Sequence, residues 1–405
     1  MNIKIDHLSG WCEGSLRITG SKSETNRLLL LQALFKGFQL ENISNSDDSK
    51  VMQEALESTS EVVDVHHAGT AMRFLTAYFS HLEGHEVVLT GSTRMQERPI
   101  KILVDALRSI GASIVYEKAE GFPPIRIKGK KLLGGTISLP ADISSQYISA
   151  LLLLGPVLEK GLKLNLVGKI TSIPYIKMTL TLLNNLGITT SFKDQLIWVG
   201  SAKKIKRINQ VVESDWSSAS YFFSIVALAK KAKISLTSFK KSSLQGDVIL
   251  LDIYEQLGVS SRFEEDTLYL KKENKPLPNS IQLDLTKTPD IAQTIAVSCY
   301  GLGVGCDLVG LHTLKIKETD RLEALQVELT KLGATIKVTN ESLHLSPDTN
   351  FIENCSISTY NDHRMAMAFA PLALKIPLKI EESSVVSKSY PDFWNDLRKL
   401  NFEIK

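Results

Sequence analysis

Apolar residues in this chain fall into short runs set off by small polar clusters, and the alternation recurs. Six segments open on such a cluster and continue as an apolar run and then a strand-like stretch. They begin at Ser23-Glu-Thr-Asn26, Gly69-Thr-Ala-Met72, Ser144-Ser-Gln-Tyr147, Ser217-Ser-Ala-Ser220, Asp290-Ile-Ala-Gln293 and Asn361-Asp-His-Arg364. The first interval is about 45 residues and the later ones are near 70 to 75, the period of an internally repeated fold. A second kind of segment lies between them: an amphipathic helix closed by glycine and followed by a strand. It reads Leu107-Arg-Ser-Ile-Gly111-Ala, Leu183-Asn-Asn-Leu-Gly187-Ile, Tyr254-Glu-Gln-Leu-Gly258-Val and Leu329-Thr-Lys-Leu-Gly333-Ala. Glycine stands where a helix stops on a left-handed residue, and the β-branched residues after it begin a strand. Leu397-Arg-Lys-Leu-Asn401-Phe is a variant with asparagine, and Val51 to Leu56 reads as a shortened copy.

The pattern predicts an α/β fold of six units, each running strand, helix, strand, helix and further strand over about 65 to 75 residues. At 405 residues the chain suits two domains of roughly 200, hence three units per domain. The first kind of helix is apolar nearly all round (Tyr147 to Leu154, Tyr221 to Ala229, Met365 to Leu374). Such helices must be buried, with their polar N-termini left at a surface or interface. Helix N-termini carry unpaired N–H groups and partial positive charge, so several together make ready anion sites. Repetition alone fits any α/β repeat protein and reveals no chemistry.

Bulk composition narrows the class. With 43% hydrophobic and 22% charged residues the chain reads as a soluble globular protein. No run of 18 apolar residues occurs, since the longest candidate, Ile148 to Val157, is interrupted by Gly155 and Pro156, so no membrane span is expected. The Met1-Asn-Ile-Lys-Ile-Asp start shows no export signal, and the expected location is the cytoplasm. Cys12, Cys299, Cys306 and Cys355 lack the spacing of a zinc or disulfide framework and read as buried free thiols. A net charge of +3, with no basic run interleaved with aromatics, argues against nucleic acid. The Lys203-Lys204-Ile205-Lys206-Arg207 run reads as a solvated face. Anion handling in such a chain requires locally gathered charge.

That charge sits at the repeat starts. Lys22 and Ser23 lie in an opening turn with Arg27 one turn into the helix, and Gly69-Thr70-Ala-Met-Arg73 repeats the arrangement. Ser144, Ser145 and Gln146 offer neutral donors, Arg94 and Arg98 flank a proline-stiffened turn, and Arg364 ends the Asn361 cluster. Lys317 and Arg321 at i, i+4 are expected on one helical face, with Glu318 beside them. Each feature has a plainer reading. A Ser or Thr before an apolar run is an ordinary N-cap, and Arg27 or Arg73 could pair with Asp47 or Asp48. His363 could be a core residue, and Lys317 to Arg321 a salt-bridged surface helix. The coincidence of basic and hydroxyl clusters with so many repeat starts is what a ligand with several anionic groups requires and a fold does not.

These residues match a family. The chain resembles the 5-enolpyruvylshikimate-3-phosphate synthases from end to end, through Gly20-SKSETN-Arg27, Ala68-GTAM-Arg73, Arg94-MQERP-Ile100, Ser144-SQ-Tyr147, Pro174-Tyr175, Asp215-WSSAS-Tyr221, Gln245-Gly-Asp247, Pro289-Asp290, Lys317-ETDR-Leu322, Tyr360-NDHRMAM-Ala368 and Ser387-KSYPD-Phe393. The resemblance implies a two-domain inside-out α/β barrel, each domain built from three βαβαββ repeats around buried helices. One domain would be discontinuous (1–19 plus 213–405), the other inserted (20–212), with the active site in the interdomain cleft and an open form that closes on substrate. It implies transfer of the enolpyruvyl group of phosphoenolpyruvate to the 5-hydroxyl of shikimate 3-phosphate by addition and elimination, in aromatic amino acid biosynthesis. It implies no cofactor and no metal, and a monomer without macromolecular partners.

Carried over residue by residue, the resemblance assigns shikimate 3-phosphate to Lys22, Ser23, Arg27, Ser144, Ser145, Gln146, Ser172, Tyr175, Asp290, Thr313 and Lys317. It assigns phosphoenolpyruvate to Lys22, Gly69, Arg98, Gln146, Arg321, Arg364 and Lys388. Asp290 would be the base for the 5-hydroxyl and Glu318 the acid at C3, with Lys22 assisting. Two substrates that each carry a phosphate and a carboxylate call for about six to eight charge-assisted contacts, which arginine forks suit. The chain departs from the family at His67 (commonly Asn), at Phe74 (commonly Pro), at Thr313 (often Asn) and in a shortened first repeat around Ser58 to Val65. A UDP-N-acetylglucosamine enolpyruvyl transferase would share the chemistry. Its lysine is followed by Asn, however, and its mobile loop carries a reactive Cys or Asp; here Lys22 precedes Ser23 and no cysteine lies between Cys12 and Cys299. A catalytically inactive phosphometabolite-binding protein would not need Lys22, Asp290 and Glu318 together.

Overall fold

The computed structural model describes residues 1–35, 37–141, 144–168, 170, 173–206, 209–347 and 350–405. The chain forms two compact units, Met1–Gly20 with Glu213–Lys405, and Ser21–Val212.

Both units use one sheet pattern. In Ser21–Val212, the strand Val62–Asp64 runs parallel to Glu86–Thr90, which pairs antiparallel with Ile125–Lys128, and that strand with Ser113–Tyr116. Gly135–Pro140, Leu162–Val167, Leu196–Val199 and Thr190–Lys193 follow the same order. The discontinuous unit repeats it three times. Trp11–Leu16 lies parallel to Lys231–Thr237, with Thr267–Lys272 and Val259–Glu264 beyond. Ser280–Asp284 is parallel to Gly305–Val309, with Ser342–Leu345 and Ile336–Val338 beyond. In the third sheet Ser356–Ile357 is parallel to Leu378–Ile380, followed by Ile3–Asp6 and Glu403–Ile404. The shortened first repeat has only a parallel pair among the described residues, Gln39–Glu41 with Asn209–Val211.

A parallel pair needs a crossover, and here the crossover is a helix. Gly69–His81, Ser145–Leu154, Ala292–Leu302 and His363–Phe369 each connect the two parallel strands of one sheet. Trp216–Leu228 precedes Lys231–Thr237 in the sheet whose first strand, Trp11–Leu16, comes before the inserted unit. These are the helices that the sequence shows as apolar all round, and they are buried: in Trp216–Leu228 every residue but Ser217 is inaccessible. Their hydroxyls are buried too, and so must find partners. Ser220 meets Thr294 at 3.1 Å, while Ser298 donates to Ser224 at 2.8 Å and lies 2.7 Å from the Tyr254 hydroxyl.

The second helices, Lys101–Ser109, Ile173–Asn185, Leu250–Gln256, Arg321–Lys331 and Phe393–Lys399, precede antiparallel strands. Gly111, Gly187, Gly258, Gly333 and Asn401, which come just after them, all have positive φ, between 68° and 103°, as the stop signals require. Val51 to Leu56 lies inside a helix spanning Asp47–Glu57, capped by Ser46 and ending without a glycine. Cys12, Cys299 and Cys306 are buried free thiols, whereas Cys355 is only partly covered. Residues 1–6 and 403–405 meet in one sheet: Ile3–Asp6 is one of its two inner strands, and Lys4 and Lys405 exchange backbone hydrogen bonds of 2.7 and 2.9 Å. His7 fastens the junction, accepting the Gly10 N–H on Nδ1 at 3.1 Å and facing the Leu400 carbonyl with Nε2 at 3.0 Å.

Two of these glycines separate strain from crowding. An added Cβ at Gly111 (φ 103°) meets nothing within 4 Å, whereas at Gly333 (φ 100°) it would stand 2.1 Å from the Asn350 carbonyl oxygen. Gly111→Ala should cost about 1 kcal/mol from backbone strain, and Gly333→Ala roughly 2–4 kcal/mol once overpacking is added. Urea denaturation of both variants checks the order, and equal losses would contradict it.

Candidate active site

In Ser21–Val212 the cationic groups stand at helix starts. Ser21 caps the helix Lys22–Leu34, so Lys22 and Ser23 form its first turn. Lys22 Nζ lies 3.1 Å from the Asp48 carboxylate. The sequence left Arg27 or Arg73 as partners for the Asp47–Asp48 pair, and the structure gives Asp48 to Lys22 instead. A single turn brings Lys22 to the helix start, whereas Arg27 and Arg73 are carried inward. Arg27 is 3% exposed and is held by neutral groups: Nε donates to Thr179 Oγ1 (2.8 Å), Nη2 to Ser149 Oγ (2.9 Å) and Nη1 to the Ser23 carbonyl (2.7 Å). Its guanidinium carbon sits 5.5 Å from the Phe74 ring and 5.8 Å from the Tyr175 ring. Phe74, one of the departures from the family pattern, thus forms a wall of the Arg27 pocket.

Arg73 is equally buried. Its Nη1 donates to the Gly69 carbonyl (3.2 Å) and its Nη2 to the Pro99 carbonyl (3.1 Å), while Nε has no hydrogen-bond partner among the described residues. Burial draws both Arg27 and Arg73 down to about 10. Neither forms an ion pair among the described residues, so each is a desolvated cation without a carboxylate in direct contact, although Glu24 attracts Arg27 from further off.

Gly69 and Arg98 meet directly. A Cβ on Gly69 would lie 2.7 Å from Arg98 Nη1, so any larger residue here would push the Arg98 guanidinium aside. The helix Gly69–His81 has Ala68 at its N-cap and no side-chain cap bond. Beside it Gln146 Nε2 donates to Thr70 Oγ1 at 3.2 Å. Ser144 is the N-cap of Ser145–Leu154, its hydroxyl accepting from the Gln146 N–H, which is the plainer reading of that serine. His67 Nδ1 lies 2.9 Å from the Ser92 hydroxyl. Ser172 lies outside the described residues.

In the other unit, cations and carboxylates interlock. Arg321, with a side chain 2% exposed, reaches three acids: Nε to Asp362 Oδ2 (2.6 Å), Nη1 to Asp290 Oδ1 (2.9 Å) and Nη2 to Glu318 Oε2 (2.8 Å). Lys317 Nζ is 3.3 Å from Asp290 Oδ1, and Arg364 Nη2 is 3.6 Å from Asp290 Oδ2. Lys317 and Arg321 do not share a helical face. The helix is Arg321–Lys331, with Asp320 as N-cap accepting from the Leu322 and Glu323 N–H groups, and Lys317 is extended (ψ −151°). A strong capping aspartate stops the helix short, and the two cations converge on Asp290 through the turn. Lys388 Nζ donates to the Asn361 carbonyl at 2.6 Å. His363 is buried, with Nδ1 3.8 Å from Asp362. The Thr313 hydroxyl is buried without a hydrogen-bond partner among the described residues, on the short helix His312–Ile316 that packs against Pro289–Ile291.

Burial alone would lift Asp290, but Lys317, Arg364 and Arg321 outweigh it and hold the carboxyl well below its ordinary range. Burial opposes the charge on Arg364 as well, and Asp290 restores it, leaving Arg364 well above the usual guanidinium value. Carboxylates for which the sequence suggested no role, or in the case of Asp48 a different partner, complete these pairs. Asp362 and Asp48 clamp Arg321 and Lys22, and Asp247 holds the Ser217 hydroxyl (2.5 Å), which takes a 3.4 Å contact from Arg364 Nη2. Their one visible signal was position: Asp362 and Asp48 sit at helix starts, and Asp247 falls in the Gln245-Gly-Asp247 stretch. Among the described residues no group of three or more His, Cys, Asp or Glu could hold a metal ion, and no helix is long and apolar enough to cross a membrane.

Asp247 behaves oppositely to Asp290. Burial lifts it to about 6 against an ordinary 3.8, with the Ser217 hydroxyl opposing and Asp290 reinforcing. The stabilising contribution of the protonated carboxyl is therefore complete below about pH 4 and is lost as pH rises through 6. Asp247→Asn should stabilise the protein by about 1–3 kcal/mol at pH 8, the gain fading toward pH 4. Urea denaturation of both forms across that range measures this, and a gain independent of pH would contradict it.

A sequence model described as EPSP synthase (3-phosphoshikimate 1-carboxyvinyltransferase) matches residues 53–397. A 3-phosphoshikimate 1-carboxyvinyltransferase of Bacteroides fragilis (strain YCH46) is 48% identical over 399 residues, 97% of this chain and 96% of the relative. One from Haemophilus influenzae (strain Rd) is 36% identical over 422 aligned positions, covering 96% of each. In fold, the chain is similar to the EPSP synthase of Acinetobacter baumannii, with a TM-score of 0.83 at 20% identity, covering 100% of this chain and 99% of that one. It is also similar to the enolpyruvyl transferase NikO of Streptomyces tendae, with a TM-score of 0.76 at 16% identity over 100% and 98% of the two chains. With buried arginines and interlocked carboxylates at its helix starts and relatives matched across nearly its whole length, this chain belongs to the EPSP synthase (3-phosphoshikimate 1-carboxyvinyltransferase) family.

Proposed function

We infer that the chain transfers the enolpyruvyl group of phosphoenolpyruvate to the 5-hydroxyl of shikimate 3-phosphate, releasing phosphate. Family membership supports the reaction, and the observation that carries it in this chain is the three-cation setting of Asp290. The reading assigns shikimate 3-phosphate to Ser23, Arg27, Ser144, Ser145, Gln146, Ser172 and Tyr175 from the inserted unit and to Asp290, Thr313 and Lys317 from the other. Lys22, Gly69, Arg98, Gln146, Arg321, Arg364 and Lys388 take phosphoenolpyruvate, with Lys22 touching both. It further describes each unit as βαβαββ repeats forming an inside-out barrel, in a monomeric cytoplasmic enzyme; the shared sheet order supports the repeats.

In this scheme Asp290 takes the proton of the attacking 5-hydroxyl and Glu318 gives one to C3 of phosphoenolpyruvate. The tetrahedral adduct then loses a C3 proton and phosphate, leaving the enol ether. A carboxylate as strongly stabilised as Asp290 is a weak base. Two of its three cations, Arg321 and Arg364, are the groups assigned to phosphoenolpyruvate. Anionic substrate oxygens that share those guanidiniums weaken their hold on Asp290 and raise its basicity at the moment the proton must move. Arg27 supplies a buried cation with no ion-paired carboxylate for an oxyanion of shikimate 3-phosphate, a charge-assisted contact in a dry pocket.

Phosphate release measured with phosphoenolpyruvate and either acceptor tests the assignment. Release is expected with shikimate 3-phosphate and not with UDP-N-acetylglucosamine, and the reverse result would overturn it. Asp290→Asn should lose about 10²–10⁴-fold in turnover while still binding shikimate 3-phosphate; unchanged turnover would remove the base assignment. Arg27→Ala should weaken shikimate 3-phosphate binding by about 1.5–3 kcal/mol, or about 10- to 100-fold, and calorimetric titration giving equal affinity would count against its role.

A further inference from the structure

Glu328 is a fully buried acid with no part in the proposed chemistry. It lies on the helix Arg321–Lys331, seven residues and so about two turns beyond Arg321, hence on the same helical face. Its Oε1 accepts the Tyr360 hydroxyl at 2.6 Å, its Oε2 accepts the Ser358 backbone N–H at 3.3 Å, and Lys331 Nζ bridges both oxygens at 2.7 and 2.9 Å. The segment it grips is a tight turn closed by the Asp362 N–H donating to the Thr359 carbonyl at 2.8 Å. Both central residues, Tyr360 (φ 52°) and Asn361 (φ 56°), are left-handed, and neither is glycine. Such a pair is unfavourable in isolation and persists only where the surroundings hold it.

The anion-handling apparatus begins at the far end of this turn. Asp362 locks Arg321 and caps the helix that begins with His363 and Arg364, and the Asn361 carbonyl receives Lys388. We propose that Glu328 is a positioning residue for phosphoenolpyruvate binding, pinning the Tyr360–Asn361 turn so that Asp362, Arg364 and Lys388 are held in register with Arg321. The helix Arg321–Lys331 thus grips one turn at two points, through Arg321 to Asp362 and through Glu328 to Tyr360 and Ser358. Glu381 takes the Ser356 and Ser358 hydroxyls at 2.7 and 2.8 Å, which steadies the strand leading in, and Glu382 accepts the Thr359 hydroxyl at 3.3 Å, while the two left-handed residues have their carboxylate partner in Glu328.

This positioning role presupposes the proposed reaction, and one set of measurements separates the two. Tyr360→Phe, Glu328→Gln and Glu328→Ala are assayed for phosphate release with phosphoenolpyruvate varied. Binding of shikimate 3-phosphate alone is followed by calorimetry, and melting is recorded for each variant. Tyr360→Phe and Glu328→Gln should raise KM for phosphoenolpyruvate by about five- to tenfold, with kcat and shikimate 3-phosphate affinity within about twofold of the unsubstituted protein. Glu328→Gln, which keeps one acceptor for Tyr360, should lose less than Glu328→Ala. Folded variants with unchanged KM overturn the positioning role, as does an equal weakening of both substrates. An unsubstituted protein that releases no phosphate would instead sink the proposed reaction.

Discussion

A guanidinium group withdrawn from water must find other polar partners, and the two units meet this constraint in different ways. Around Arg321 the protein supplies its own counter-charges, three carboxylates within 2.9 Å. Around Arg27 and Arg73 the direct contacts among the described residues are hydroxyls, carbonyls, the Met95 sulfur and aromatic faces, with no carboxylate in ion-pair reach. The first arrangement is rigid and self-satisfied. The second keeps a cation in a low-dielectric pocket, where an approaching oxyanion gains far more than it would in water. Both depend on helices that deliver side chains to fixed points, so the scaffold's accuracy becomes the site's accuracy.

That accuracy has a physical source in buried hydroxyls. Ser220, Ser224, Thr294 and Ser298 lie on the facing helices Trp216–Leu228 and Ala292–Leu302, and each must keep its partner because no water can replace it. Apolar contacts alone tolerate sliding; these pairs do not. They fix the two helices in register, and with them the starts from which Ser217 and Asp290 meet Arg364.

The parts of this molecule legible in its sequence were those with one local cause. Gly111, Gly187, Gly258 and Gly333 announce helix ends because few residues accept a left-handed backbone, and all four adopt it. Tyr147 to Leu154 announces a buried helix because it has no polar face. Side-chain pairing had no such uniqueness. An aspartate at a helix start serves equally as a cap or as a partner for a distant arginine. Asp320 turns out to be the first, and Asp362 is both. The i, i+4 spacing of Lys317 and Arg321 suggested a helical face, but the cap at Asp320 prevents it. Asp247 and Asp290 are the same residue type with opposite displacements of pKa, set by neighbours tens of residues away that no local pattern encodes.

The sheet that joins residues 1–6 and 403–405 sets an order of events in biosynthesis. One of its two inner strands, Ile3–Asp6, is made before residues 21–212, and both its neighbours, Leu378–Ile380 and Glu403–Ile404, are made after them. Among the described residues, the strands of 21–212 pair only with one another, and they are complete while most of the discontinuous unit is still untranslated. Strand pairing in the inserted unit thus needs nothing made after it, whereas Ile3–Asp6 has unpaired edges until Leu378–Ile380 and Glu403–Ile404 follow.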